Sequence, residues 1–277
     1  MIAKVLGPLR ATLDGVSIVP TAPMARRVLA LLVLDQGRVV RIGTIERELW
    51  GADPPRSAAT SVQNQVMRIR RAMDGSSPPT GAARSTVARE LLTTEPTGYR
   101  LEAPEGQFDI ESYRLLVGQA EQAECVGQLT QASAVLKSAL ALWHDTPLSD
   151  LATGSVLQAR VLRLEEERRS GLLRRISLDL RMRRHSEIIG ELRELTGLDP
   201  YDELLHEYLM FALYFSGRRN DALSTYQGFR TALAEGVGLE PSPRLRELQQ
   251  AILMADDTLG HTFLDPTPLD AGSAAAR

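Results

Sequence analysis

The side chains best suited to catalysis are scattered. His144, His185, His206 and His261 lie far apart in the chain, with no partner at ligand spacing. His206-Glu207 opens the HExxH pattern of a zinc site, but Met stands at 210, so the second ligand is missing. Neither GxxxxGKS/T nor GxGxxG occurs, which argues against nucleotide chemistry by those routes. GxSxG is absent too, and Cys125 has no nucleophile motif around it. Carboxylate pairs such as Glu165-Glu166 read as solvated helix faces. No catalytic residue, metal or cofactor is expected. One segment stands apart, residues 57–73, SAATSVQNQVMRIRRAM. With about 100° of turn per residue, Val62, Val66, Ile69 and Met73 share one stripe. Thr60, Asn64, Met67 and Arg71 face the other way, flanked by Gln63 and Arg68. Amides can pair with adenine edges and guanidiniums with guanine O6 and N7 in a major groove. A solvated helix face usually mixes Glu with Lys, and this one has neither.

Positioning such a helix takes a small scaffold, and the flanking segments supply one. Residues 5–9, 11–13 and 16–19 are short apolar runs around the turn residues Asp14-Gly15, which predict a small antiparallel sheet. A helix is predicted over Ala22–Leu34, with Ala25, Val28, Leu29, Leu32 and Val33 inward and Gly37 closing it. A second helix is predicted from about Gly43 to Trp50, capped by Thr44, with Ile45 and Leu49 inward. Pro54 and Pro55 then force a loop. A Gly/Ser/Pro-rich linker, Gly75–Ala83, leads to a hairpin with Leu91–Thr94 and Tyr99–Leu101 as arms around Glu95-Pro96-Thr97-Gly98. Sheet, three helices and hairpin together predict a winged helix-turn-helix over residues 1–105, its third helix for the major groove and its wing for the adjacent backbone or minor groove.

The order VLGPL, RRVLALLVLDQGRVV, ELWGADPP, SVQNQVMRIRRAM and TGYRLE resembles the Streptomyces antibiotic regulatory proteins. Their N-terminal domain is similar to OmpR-type output domains, and no receiver domain is expected in front of it here. The resemblance implies base contacts from Gln63, Asn64 and Arg68, in agreement with the helical face, which adds Arg71. It implies phosphate contacts from Trp50, Arg70, Thr93 and Tyr99, and Thr60 on the outward face is expected to join them. It also implies that the loop Gly51, Ala52, Asp53, Pro54, Pro55 and Arg56 meets RNA polymerase through a sigma factor. Promoter DNA carrying direct repeats, occupied by several protomers, follows from the same resemblance, as does activation of a secondary-metabolite gene cluster. One position departs from the family, whose wing tip usually carries arginine where this chain has Glu95.

A second domain is expected over residues 106–257, helical almost throughout from 108 to 255. Ala132/Leu136/Ala139, Ile188/Leu192/Leu195 and Ala222/Tyr226/Phe229 repeat apolar residues at 0, +4 and +7, and the last two sets lie one tetratricopeptide period apart. Either tetratricopeptide-like pairs or a generic antiparallel bundle fits this pattern. The resemblance names the region the bacterial transcriptional activation domain, closing with the loop Gly236–Pro241 and a last helix, Pro243–Ala255. A flexible tail is expected over 258–277. The fold class is thus α+β, a winged helix-turn-helix followed by an all-α tetratricopeptide-like domain. Arginines crowd residues 160–184, either as a solvated face paired with Glu165–Glu167 or as a contact to DNA backbone or polymerase.

Composition sets the frame. Hydrophobic residues at 43% and charged residues at 24% are ordinary for a globular chain. The net charge of −3 hides a split: residues 1–105 hold 14 Lys/Arg against 10 Asp/Glu, and the remainder 18 against 25. A basic front and an acidic back suggest that only the front faces phosphate. The lone Cys125 cannot form an internal disulfide and is expected as a buried thiol. No leader and no membrane span are read, so a cytoplasmic, nucleoid-associated protein is expected. The competing function is a tetratricopeptide adaptor that does not bind DNA.

Overall fold

In the computed structural model the described residues are 1–75, 84–103 and 107–255, with side chains from 88 onward in the second stretch. Residues 76–83 of the expected linker and the expected tail lie outside them. Packing groups the chain into two compact units, residues 1–126 with 134–172, and residues 127–133 with 173 onward.

The first unit begins with a meander of β1 (Ile2–Lys4), β2 (Arg10–Leu13) and β3 (Val16–Ser17). Asp14 and Gly15 both take positive φ, 52° and 81°, as a two-residue hairpin turn of right-handed twist requires. Helix α1 (Pro23–Leu34) starts on Pro23, whose fixed φ and missing N–H suit a first turn. Its residues Val28 to Val33 are buried on all sides. At roughly 1.5–3 kcal/mol for each large aliphatic side chain buried, this helix anchors the core. Strand β4 (Val39–Arg41) follows, then α2 (Ile42–Trp50), α3 (Ala58–Gly75), α4 (Arg84–Leu91), β5 (Leu92–Glu95) and β6 (Gly98–Leu101). The second sheet has the order β4-β6-β5.

Three sequence expectations are corrected here. Thr44 does not cap α2: the helix begins at Ile42 directly out of β4, its N-cap is Arg41, and no side chain caps it. Strand β4 and helix α4 were not anticipated, since three and eight residues are too few for a periodicity to show. Cys125 is exposed rather than buried, because it ends α5 (Asp109–Cys125) while Ala120 and Ala123 turn inward.

Beyond the wing, α5, α6 (Leu129–Leu140) from Ala134 on, and the first turns of α7 (Ser155–Arg181) complete the unit. Three carboxylates tie them to the N-terminal elements. Asp109 accepts from the backbone N–H groups of Val5, Leu6 and Ile110. Asp150 accepts from Leu9 N–H and pairs with Arg26. Glu48, only 1% exposed, accepts from Gly154 N–H at 2.6 Å and Leu157 N–H at 2.8 Å, so a side chain of α2 satisfies orphan donors at the start of α7. Gly154 must be glycine, because a Cβ there would lie 2.1 Å from Glu48 O. The stretch 143–154 is irregular, contrary to the expectation of nearly continuous helix; Pro147 and Gly154 break the pattern.

The second unit packs α8 (His185–Leu198), α9 (Glu203–Phe215), α10 (Arg219–Val237) and α11 (Pro243–Met254). The repeated apolar positions are buried as their spacing requires, except Leu195, which is half-buried. Asp202 caps α9 through the N–H groups of Leu204 and Leu205. Gly236 and Val237 finish α10 instead of opening the closing loop, and Gly238 terminates the helix in the left-handed conformation at φ 70°.

Candidate nucleic-acid interface

Helix α3 buries Ala58, Val62, Gln65, Val66, Ile69 and Met73. Its outward face is then fixed by the 3.6-residue period. Thr60, Gln63, Asn64, Met67, Arg68 and Arg71 are all exposed. No hydrogen bond or ion pair holds these side chains among the described residues. Five polar groups on three turns therefore stand open in one row, with Met67 offering an apolar contact between them.

The wing is braced against this helix by Arg70. Its guanidinium donates to Leu92 O at 2.6 Å and to Thr94 Oγ1 at 2.9 Å. Desolvation by this packing lowers the pKa of the guanidinium. The side chain is thus engaged on the wing, unlike its neighbour Arg71. Of the other expected phosphate contacts, Thr60 is exposed and Trp50 is half-buried against the core. Thr93 is half-buried and donates to Arg100 O at 3.4 Å. Tyr99 is 5% exposed. Glu95 at the wing turn pairs with Arg100 at 3.0 Å. The fold thus gathers α3, the end of α2 and the wing in one unit, while leaving their contact groups in different states of commitment.

Residues 51–56 are exposed without exception. Gly51 closes α2 at φ 72°, in the region that favours glycine. Glu48 was not singled out by sequence reasoning, although a carboxylate between the inward residues Ile45 and Leu49 is a readable signal.

Residues 17–101 match the model of the transcriptional regulatory protein C-terminal domain, and residues 108–253 that of the bacterial transcriptional activator domain. Over 253 residues the chain is 38% identical to the regulatory protein DnrI of Streptomyces peucetius, covering 91% of this chain and 92% of DnrI. This chain belongs to the Streptomyces antibiotic regulatory protein family. It is 37% identical to the regulatory protein AfsR of Streptomyces coelicolor over 92% of its own length, but spans only 24% of AfsR. The solved structure of Mycobacterium tuberculosis EmbR in complex with a low affinity phosphopeptide superposes with a TM-score of 0.81 at 31% identity. That match covers 92% of this chain and 65% of EmbR. The chain is accordingly a transcriptional activator of this family type, with a DNA-binding winged helix-turn-helix followed by a helical activation domain. No described helix is long and apolar enough to cross a membrane. Among the described residues no cluster of His, Cys, Asp or Glu is arranged to hold a metal ion.

Proposed function

We propose that this activator reads direct repeats near the promoter −35 element and recruits RNA polymerase to a secondary-metabolite, antibiotic-type gene cluster. One observation carries the reading: the outward face of α3 bears amides and guanidiniums that meet no partner among the described residues. Gln63, Asn64, Arg68 and Arg71 contact base edges in the major groove, where a bidentate Arg–guanine or Asn–adenine pair discriminates by about 1–3 kcal/mol. Trp50, Thr60, Arg70, Thr93 and Tyr99 set the register on the phosphates. For Arg70 this role is coupled to its bracing of the wing.

The fully exposed loop 51–56 supports a second contact, to a sigma factor. Pro54 and Pro55 stiffen it and reduce the entropy lost on docking. One winged domain reads few base pairs, so two or more protomers bind head to tail. That arrangement is heterologous and leaves the protein weakly associated off DNA. The protein acts in the cytoplasm, on the nucleoid, without catalysing a reaction of its own. Residues 1–105 act as the DNA-binding part and 106–257 as the activation part.

Footprinting of the full chain on genomic fragments tests the reading. Protection of two or more directly repeated sites is expected. A single unrepeated site bound by one protomer contradicts the tandem mode. A chain that leaves a heparin column at low salt and protects no fragment acts as an adaptor instead.

A further inference from the structure

The wing carries a cation that neither its hairpin nor α3 supplies. Glu95 and Arg100 are both on the hairpin, and their ion pair at 3.0 Å largely cancels the charge there. Arg100 also pairs with Glu102 at 3.2 Å. The cross-strand row through Glu95 continues beyond the hairpin: Glu95 stands opposite Gly98, and Gly98 opposite Arg41 of β4. Neighbours in register project to the same face. Arg41 and Glu95 therefore share a face, about 9–10 Å apart across two strand spacings. Between them Gly98 has no side chain, and there is no room for one, since a Cβ would lie 1.9 Å from Val40 O.

The backbone of Arg41 is fixed on both sides. Before it, Val39 and Val40 pair with β6. After it, Ile42 N–H donates to Thr97 O, in the turn of the wing, at 3.0 Å. Arg41 is exposed, and no carboxylate or carbonyl engages its guanidinium among the described residues. An open guanidinium thus rides on the wing turn, one strand away from a pair that has neutralised itself.

We propose that Arg41 is the wing's phosphate-binding cation, contacting the DNA backbone beside the groove that the wing enters. The proposal rests on the DNA-binding reading above. A guanidinium is planar, always charged and forked to match phosphate oxygens. The polyanion is selected by charge: once Glu95 and Arg100 are paired, Arg41 is the uncompensated charge on this row.

The test is binding of the full chain to a short mixed-sequence B-form duplex across a salt series. Each phosphate contact contributes about 0.9 to the slope of log affinity against log salt. Arg41→Ala should reduce the slope by about that amount and weaken low-salt binding several-fold. Arg41→Gln should do the same with a side chain of similar length, and Arg41→Lys should recover most of the loss. Arg38→Ala removes an equal charge at the other end of β4, outside the row, and should leave the slope unchanged. An unchanged slope in both neutral variants, or an equal fall in Arg38→Ala, overturns the proposal. If those results come while Arg68→Ala still weakens binding, only the wing assignment fails. A wild-type chain with no salt-dependent binding refutes the DNA-binding reading itself.

Discussion

Helices α3 and α7 are both rich in arginine, yet the protein uses them in opposite ways. On α3, Arg68 and Arg71 are exposed and meet no partner among the described residues. On α7 the charge is consumed internally. Arg160 pairs with Asp35 at 2.7 Å, Arg163 with Glu167 at 3.2 Å, and Arg168 lies over the Trp143 ring at 5.4 Å. Arg175 is buried between Asp179 and Glu191, and just past the end of the helix Arg184 also reaches Asp179, at 3.4 Å. Arg169, Arg174 and Arg181 also have interactions of their own. The number of arginines therefore does not locate an interface. Their state of commitment separates the two helices, and it supports the proposal that α3 is the recognition helix.

The largest effect should come from breaking a committed charge. Arg175→Ala leaves Asp179, 9% exposed at its side chain, without its closest cation. Removing one partner of a buried pair costs about 3–5 kcal/mol. Urea unfolding should show a loss of that size, while Arg163→Ala on the exposed part of the helix should cost under about 1 kcal/mol. Equal costs for the two would erase the contrast drawn here.

An uncommitted charge should behave the other way, leaving the fold intact while function fails. Asp53→Lys together with Ala52→Arg reverses the exposed loop between α2 and α3. Near-normal DNA affinity with promoter-driven transcription largely lost is the expected outcome. Parallel loss of both, or loss of neither, removes the loop from the polymerase contact.

Buried imidazoles provide a milder test through pH. His206 packs on Phe229 at 4.4 Å, and His185 stacks on Phe215 at 5.2 Å. Burial lowers the pKa of both rings. The unfolded chain therefore binds more protons than the folded one just below the ordinary imidazole pKa of about 6.5. Their contribution to stability is present above that value and is lost as pH falls through the lowered folded pKa values. Melting temperature should drop between neutral and mildly acidic pH, and replacing both rings with glutamine should flatten the dependence. A melting temperature that rises on acidification contradicts this assignment.

The smallest effect is expected at the wing. Glu95→Arg releases Arg100 from its pair and adds a second cation beside Arg41. DNA binding should tighten modestly at low salt, and the gain should shrink as salt rises. No gain at low salt means that the wing stays away from the groove.

Local periodicity explains which parts of this account were legible in sequence. Helices α1 and α3 announce themselves because their inward residues recur at the helical period, and the open face of α3 follows from the same phase. Strand β4 is invisible at three residues, yet its pairing with β6 sets the position of Arg41. Asp109 and Asp150 read as ordinary surface acids, and Glu48 is marked only by its place between the inward residues Ile45 and Leu49. The long-range partners of all three are backbone N–H groups more than a hundred residues away, so no local pattern names them. Arg70 and Arg71 are adjacent and identical in sequence. Only the placement of the wing shows that the first is engaged and the second open.

Whether the open face of α3 reads bases is tested most directly by affinity measured on two DNAs. The first is a duplex carrying the site protected in footprints, and the second is a scrambled duplex of equal length. Arg68→Ala and Asn64→Ala should each cost about 1–3 kcal/mol on the first and much less on the second, while Arg70→Ala should weaken both alike. Equal losses on the two duplexes for all three variants would contradict the account.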